Sequence, residues 1–251
     1  MPINKAWSKD WIAYGYKDPI MASAWVTPPP PRHLIRLYHL TSQKHALDDL
    51  RKGRLKISTF SESNDPFELL ALWIGDKITR EAVRAHKRQL ESAMGLLCFS
   101  ANWSSPPLWS HYADKHRGIG LGFDVPRKNV LAVSYSKSRL QSQAKKILQS
   151  SDIDDPLRDL LVCTKFSDWS YEREYRMKVN LNDAVREKRR FFWSFGQELK
   201  LMEVILGPLS RSADLPIVKS LVDANYSGVK TYKARLAFQS YGVVPNEKTV
   251  L

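Results

Sequence analysis

The segment Trp169-Ser170-Tyr171-Glu172-Arg173-Glu174-Tyr175-Arg176 places two carboxylates and a guanidinium within one short stretch. In a strand, residues two apart share a face, so Glu172, Glu174 and Arg176 are expected to project together while Tyr171, Arg173 and Tyr175 take the other side. Two carboxylates this close repel, so one pKa should rise unless a cation intervenes, and Arg176 could be that cation. Such a group can hold a ribose hydroxyl, stabilise a developing positive charge or act as a general base. The same spacing equally suits a structural ion-pair row on an exposed sheet face, and spacing alone does not choose between them.

His39, in Tyr38-His39-Leu40-Thr41-Ser42, ends an apolar strand-like run immediately before a helix start. A polar group there can meet a ligand, although a satisfied structural histidine is the commoner use of the position. His111 and His116 enclose Asp114, but they are not spaced to share a helix face at i and i+4 and bring no third or fourth ligand, so no metal is expected. Gly118, Gly120 and Gly122 alternate with Ile119, Leu121 and Phe123 as in a strand, whereas a dinucleotide fingerprint needs a glycine turn opening a helix. A G-x-x-x-x-G-K-[ST] phosphate loop and a G-x-S-x-G elbow are absent. Cys98 lacks an evident basic partner. With Cys163 it reads as a reduced, buried thiol of a cytosolic protein rather than part of a disulfide framework.

The elements that must position these groups begin with a strand at Leu34 to Leu40, a helix capped by Ser42 and ended by Gly53, and a strand at Leu55 to Phe60. Helical spacing returns over residues 67 to 94, followed by a short buried strand from Gly95 to Ser100. Ser105-Pro106-Pro107 then opens a helix bearing Leu108, Trp109 and Tyr112. Ile119 to Phe123 and Val130 to Tyr135 are expected as neighbouring strands, Arg139 to Cys163 as a helix broken near Pro156, and Tyr171 to Val179 as an alternating strand. Val204 to Leu206, Ala213 to Asn225 and Val229 to Ala234 complete the series as strand, helix and strand. Without a steady βαβ rhythm, the expected class is α+β, with mixed, mainly antiparallel sheets flanked by helices. Residues 1–33 are expected to form an aromatic arm and a polyproline spacer, Pro28 to Pro31, and residues 34–251 a single domain.

Thirty-nine Lys and Arg against 26 Asp and Glu give a net charge of +13, which points to polyanionic partners. Residues 1 to 60 carry ten basic and four acidic side chains, and Arg186, Lys188, Arg189 and Arg190 run into Phe191, Phe192 and Trp193. Basic groups beside rings suit a nucleic acid, meeting phosphates and stacking on bases; a solvated basic face that binds nothing has the same composition. The opening residues lack a signal-peptide pattern and no apolar run reaches a membrane span, so no membrane partner is expected and the location expected is cytoplasmic.

Tyr38-His39-Leu40-Thr41-Ser42, Asn64-Asp65-Pro66-Phe67-Glu68, Cys98-Phe99-Ser100, Leu108 to Asp114, Gly118 to Asp124 and Trp169 to Arg176 follow one another in an order that resembles a widespread bacterial family of unknown function. Members of that family carry YHYTS-, NDPFE-, LWSHYAD- and WxYExEYR-like motifs, and the likeness spans about residues 34 to 242. The strand-end Y-H-x-T leading into a helix is also similar to the opening motif of ADP-ribosyltransferases of the His-Tyr-Glu type, some of which modify DNA or RNA. That resemblance implies an ADP-ribosyltransferase-like fold with NAD as co-substrate. It gives His39 the contact to the nicotinamide-side ribose, Tyr112 the stacking on nicotinamide, and Glu174 or Glu172 the support of an oxocarbenium-like transition state. The motif residues Tyr38, Thr41, Asn64, Asp65, Trp109, His111 and Arg176 become candidates for substrate or cofactor binding. The expectation is an NAD-consuming enzyme acting on nucleic acid, a toxin or anti-phage effector with an antitoxin as a fitting protein partner. A non-catalytic nucleic-acid-binding module is the alternative, and a nuclease or phosphodiesterase using His39, His111 and acidic groups is the third.

Overall fold

The computed structural model describes residues 26–63, 65, 67, 71–72, 75–140 and 155–250. The aromatic arm up to residue 25, Asn64, and the expected helix over residues 141–154 lie outside the described residues.

Along the chain the elements are β1 (Leu34–Thr41), α1 (Gln43–Lys52), β2 (Arg54–Ile57), α2 (Lys77–Ala93), β3 (Met94–Ser100), α3 (Pro106–Tyr112), β4 (Ile119–Pro126), β5 (Leu131–Ala132) and β6 (Ser134–Ser136). They continue through α4 (Asp155–Val162), β7 (Thr164–Phe166), β8 (Glu174–Asn180), β9 (Val185–Glu187), β10 (Arg190–Ser194), β11 (Lys200–Leu206), α5 (Asp214–Asn225), β12 (Lys230–Leu236) and β13 (Val243–Pro245). Local chemistry sets several ends. Ser42 accepts from the His45 amide, and Gly53 takes the left-handed conformation at φ 60°, which closes α1 without a Cβ penalty. Asp76 caps α2 by accepting from the Thr79 amide at 2.8 Å.

An eight-stranded sheet in the order β13-β12-β11-β4-β1-β3-β8-β5 organises the molecule, with a three-stranded sheet β2-β10-β9 and a two-stranded pair β6-β7 beside it. In the large sheet the β11–β12 pair is parallel, and the other pairings are antiparallel. The fold is therefore mixed, with a mostly antiparallel sheet and flanking helices. The expected elements need correction at Val130 to Tyr135 and at Tyr171 to Val179, and the basic-aromatic stretch, left without an element, gains one. Val130 to Tyr135 is not one strand beside β4: it divides into β5, which pairs with β8, and β6, which pairs with β7. The basic-aromatic stretch is a hairpin strand, β10, paired between β2 and β9. The expected Tyr171–Val179 strand starts only at Glu174, because Ser167–Glu172 forms a 3-10 helix that ends at Arg173 with φ 44°.

One sheet face, carrying Leu37, Leu97, Phe99, Leu121 and Phe123, packs on α1, α5 and β2 through Ala46, Leu50, Leu55, Ile57, Val218 and Val222. Each large apolar side chain buried there contributes about 1.5–3 kcal/mol. The other face carries Tyr38, Leu40 and Ile205 against Trp103, Leu108 and Trp109 around α3. The alternating glycines of β4 serve this packing rather than a phosphate. A Cβ on Gly122 would stand 3.0 Å from the Tyr38 ring, and one on Gly120 would stand 3.4 Å from that of Trp109.

That face also holds a buried ionic group. The Arg36 guanidinium donates to both Asp124 oxygens, at 2.5 and 3.1 Å, and to Glu203 at 3.3 Å. The Thr27 amide donates to Glu203 at 3.2 Å, and its hydroxyl bonds the same carboxylate. The described end of the proline spacer is thereby tied to the sheet, with Arg127 donating to the Arg32 carbonyl at 3.0 Å.

Candidate active site

The registered pairing between β1 and β3 is the single pair Tyr38↔Ser100, whereas β1 pairs with β4 along its whole length. Beyond Tyr38 the two strands part. There the His39 ring Nδ1, not a backbone amide, meets the Cys98 carbonyl at 3.0 Å. An N–H on Nδ1 satisfies that carbonyl and leaves Nε2 as the acceptor of a neutral imidazole, and burial, opposed by the Cys98 bond, lowers the pKa and favours that neutral form.

The parting opens a cavity of about 280 Å³ lined by Tyr38, His39, Cys98, Ser100, Tyr112, Lys165, Glu172, Glu174 and Arg176, with Ser58 to Phe60, Glu62 and Ser63 completing the wall. His39 and both glutamates thus border one hollow, His39 from the sheet face of Leu37 and Leu121 and Glu174 from the opposite face of Tyr38 and Ser100. Glu172 reaches it by a different route from the one alternation predicts. The left-handed Arg173 turns the chain between the 3-10 helix and β8, so two residues on unlike elements converge. The Ser100 hydroxyl fixes that corner by donating to the Glu172 carbonyl at 2.6 Å.

The cation between the carboxylates is Lys165 as well as Arg176. Lys165 Nζ donates to Glu172 at 2.5 Å and to Glu174 at 3.3 Å. Arg176 donates to the two Glu174 oxygens at 2.8 and 3.0 Å and also to the Val162 carbonyl. The Tyr112 hydroxyl, at the end of α3, donates to Glu172. All four charged side chains are at most 7% exposed, so these contacts are weakly screened.

The two carboxyls answer differently. Burial pushes Glu174 up, but Arg176 and Lys165 outweigh it and hold the group down at about 2. Burial raises Glu172 as well, Lys165 opposes this, and the Glu174 charge adds to the rise, so the net direction is upward. Burial would lower Lys165, yet the two glutamates hold it above its ordinary value. Burial first, then the Glu172 charge, keeps the Tyr112 hydroxyl protonated. The cavity therefore presents a carboxylate held ionised, a second carboxyl whose pKa is raised and a tyrosine donor.

The remaining predicted positions are scattered. Trp109 is fully buried in the core and donates its Nε1–H to the Trp103 carbonyl at 2.6 Å. Asp65 accepts from the Phe67 amide at 2.9 Å, forming a local turn. Thr41 ends β1 outside the cavity lining, and Asn64 lies outside the described residues. His111 is exposed and pairs with the Tyr171 hydroxyl at 2.8 Å, beside the Trp169 ring. Cys98, expected to be buried, is half-exposed along the cavity wall, while Cys163 is buried as expected and raised to about 11 by burial. Among the described residues no group of three or more His, Cys, Asp or Glu is arranged to hold a metal ion.

Arg186, Lys188, Arg189 and Arg190 are exposed on the β9–β10 hairpin. The rings beside them are not offered for stacking: Phe192 is buried beneath the Arg54 guanidinium, and Phe191 and Trp193 pack on the core. Phe191 pairs with Ile57, while Arg190 pairs across the turn with Glu187.

Fold and site together define a mixed, mainly antiparallel protein whose split sheet encloses a buried group of two carboxylates and two cations. A family model described as a protein of unknown function (DUF2971) matches residues 108–177, the stretch that runs from α3 through Lys165 to β8 and so supplies Tyr112, Lys165, Glu172, Glu174 and Arg176. No curated protein and no solved structure gives a match. No helix among the described residues is long and apolar enough to cross a membrane.

Proposed function

We propose that this protein is an NAD-consuming, ADP-ribosyltransferase-like enzyme whose acceptor is nucleic acid. One observation carries the reading: His39, Tyr112, Glu172 and Glu174 line a single cavity. At about 280 Å³ it lies near the low end of ligand pockets, enough for the nicotinamide–ribose end of a dinucleotide with the remainder along the mouth.

In the proposed reaction the bond from ribose C1′ to the nicotinamide nitrogen breaks, and its electron pair leaves with neutral nicotinamide. Positive charge grows on the sugar, and the fixed Glu174 carboxylate stabilises that transition state more than the ground state. His39 Nε2 accepts a ribose hydroxyl, and the Tyr112 ring, held by its hydroxyl on Glu172, flanks the nicotinamide. An acceptor oxygen or nitrogen then bonds to C1′, and Glu172 takes its proton. NAD is a co-substrate here, and no metal takes part. A toxin or anti-phage setting, with an antitoxin as inhibitor, belongs to the same proposal.

Incubation with labelled NAD and DNA, RNA or protein tests it. Nicotinamide release with label on nucleic acid is expected, and Glu172→Gln should slow it by about a hundredfold or more. Folded protein that releases no nicotinamide and transfers no label rejects the reading. The exposed basic hairpin favours a second reading, a non-catalytic nucleic-acid-binding module, in which binding survives Glu174→Gln and His39→Ala and no NAD is consumed.

A further inference from the structure

Away from the cavity, the β12–β13 loop carries a second hollow and two bare rings. Phe238 is 89% and Tyr241 104% exposed, the most exposed large hydrophobic side chains among the described residues. The loop holding them is braced: Ala237 donates to the Gly242 carbonyl at 2.9 Å, Gly242 to that of Ser240 at 3.1 Å, and Val243 to that of Ser104 at 2.9 Å. Beside it lies a hollow of about 390 Å³ lined by Arg235, Phe238, Gln239, Ser240 and Glu247 together with the apolar Ala237, Val244 and Pro245. The Arg235 guanidinium sits 4.4 Å from the Phe238 ring centroid.

An apolar protein partner needs apolar neighbours around such rings, to form a dry centre. Here an arginine, an amide, a hydroxyl and a carboxylate are set among Ala237, Val244 and Pro245, which leaves donors and acceptors next to a ring face instead of a dry centre. That combination suits a heteroaromatic base, which stacks on a ring and hydrogen-bonds at its edge. The net charge of +13 favours an anionic chain as the bearer of that base.

Position supports the same occupant. β12 runs parallel to β11, and the register Thr41↔Ile119, Ile119↔Leu206, Leu206↔Lys233 sets Lys233 level with the end of β1, from where β12 continues to Leu236 past the same edge of the sheet. Three strand spacings, roughly 15 Å, separate the two strands there. We infer that the Ala237–Gly242 loop is a base-stacking subsite for single-stranded nucleic acid, with Phe238 and Tyr241 as platforms and the adjoining hollow receiving a base edge. It takes its nucleic-acid partner from the reading above, but its test needs no NAD.

Short labelled oligo(dT) and oligo(U) are titrated at low salt against the parent, Phe238→Ala/Tyr241→Ala and Phe238→Trp. The double variant should lose about tenfold or more in affinity with an unchanged salt slope, and Phe238→Trp should bind like the parent. Because both rings stand in solvent, thermal melts of the three proteins should coincide. Equal affinity of parent and double variant, or a parent that binds neither oligonucleotide, overturns the inference. So does a parent that self-associates in sedimentation through these rings and dissociates on their removal. Retained oligonucleotide binding without nicotinamide release defeats the enzyme reading alone, and nicotinamide release with equal binding by parent and double variant defeats the subsite alone.

Discussion

With Lys165 donating to both Glu172 and Glu174, and Arg176 donating twice to Glu174, the two carboxylates are not interchangeable. Glu174 has its pKa depressed from 4.5 to about 2, so its contribution to stability is complete above pH 4.5 and is lost as pH falls toward 2. Glu172, raised instead, acts with the opposite sign: it favours the fold below its ordinary value and weakens it as pH rises through the raised one. Glu174→Gln leaves two buried cations facing one carboxylate, and should cost about 3 kcal/mol at pH 7. Urea midpoints measured as a pH series check this: the gap between parent and variant should shrink below pH 4.5, and a constant gap contradicts the ionic account. Glu172, Glu174 and Arg176 were legible as a group because they crowd one short stretch. Lys165 was not, because it stands outside that stretch on β7 and reaches the pair only after the chain reverses through the 3-10 helix.

Arg173 is the element boundary on which that convergence depends. A non-glycine residue in the left-handed region costs roughly 1–2 kcal/mol, and the Arg173 side chain is exposed, so it recovers little through packing. Arg173→Gly should melt at or above the parent temperature, while Arg173→Val, β-branched at the same φ, should lose about 1–2 kcal/mol. Thermal melts decide, and a large drop for Arg173→Gly places the stabilising role in the arginine side chain instead. Elements with strong local chemistry were readable beforehand, among them α1 between Ser42 and Gly53, α3 behind Pro106 and the glycine strand β4. The β9–β10 hairpin was not, since its turn uses Lys188 at φ 57° where glycine or asparagine is the usual signal. Glu172 was misplaced on a strand because period-2 spacing carries no mark of the kink at Arg173.

Across the molecule, the excess of basic groups is spread rather than gathered into one tail, yet the β9–β10 turn brings three exposed cations together. If these meet phosphates, replacing Lys188, Arg189 and Arg190 by Gln should flatten the dependence of log K on log salt by about 2 to 3 for a nucleic-acid ligand. Titrations at several salt concentrations read this directly, and an unchanged slope removes the hairpin from the interface. Composition announced the sign of the charge but not its placement, which depends on the long-range pairing of β10 with β2. The parting of β1 from β3 was equally hidden, since both sequences read as ordinary strands. It leaves five strands on one side of a seam and three on the other, joined there by Tyr38↔Ser100 and by the His39 ring on the Cys98 carbonyl. Mechanically the large sheet is thus two leaves hinged along a line with little backbone ladder. Widening or narrowing the gap strains side chains rather than rows of amides, and the His39 ring on the Cys98 carbonyl is the clasp across the aperture.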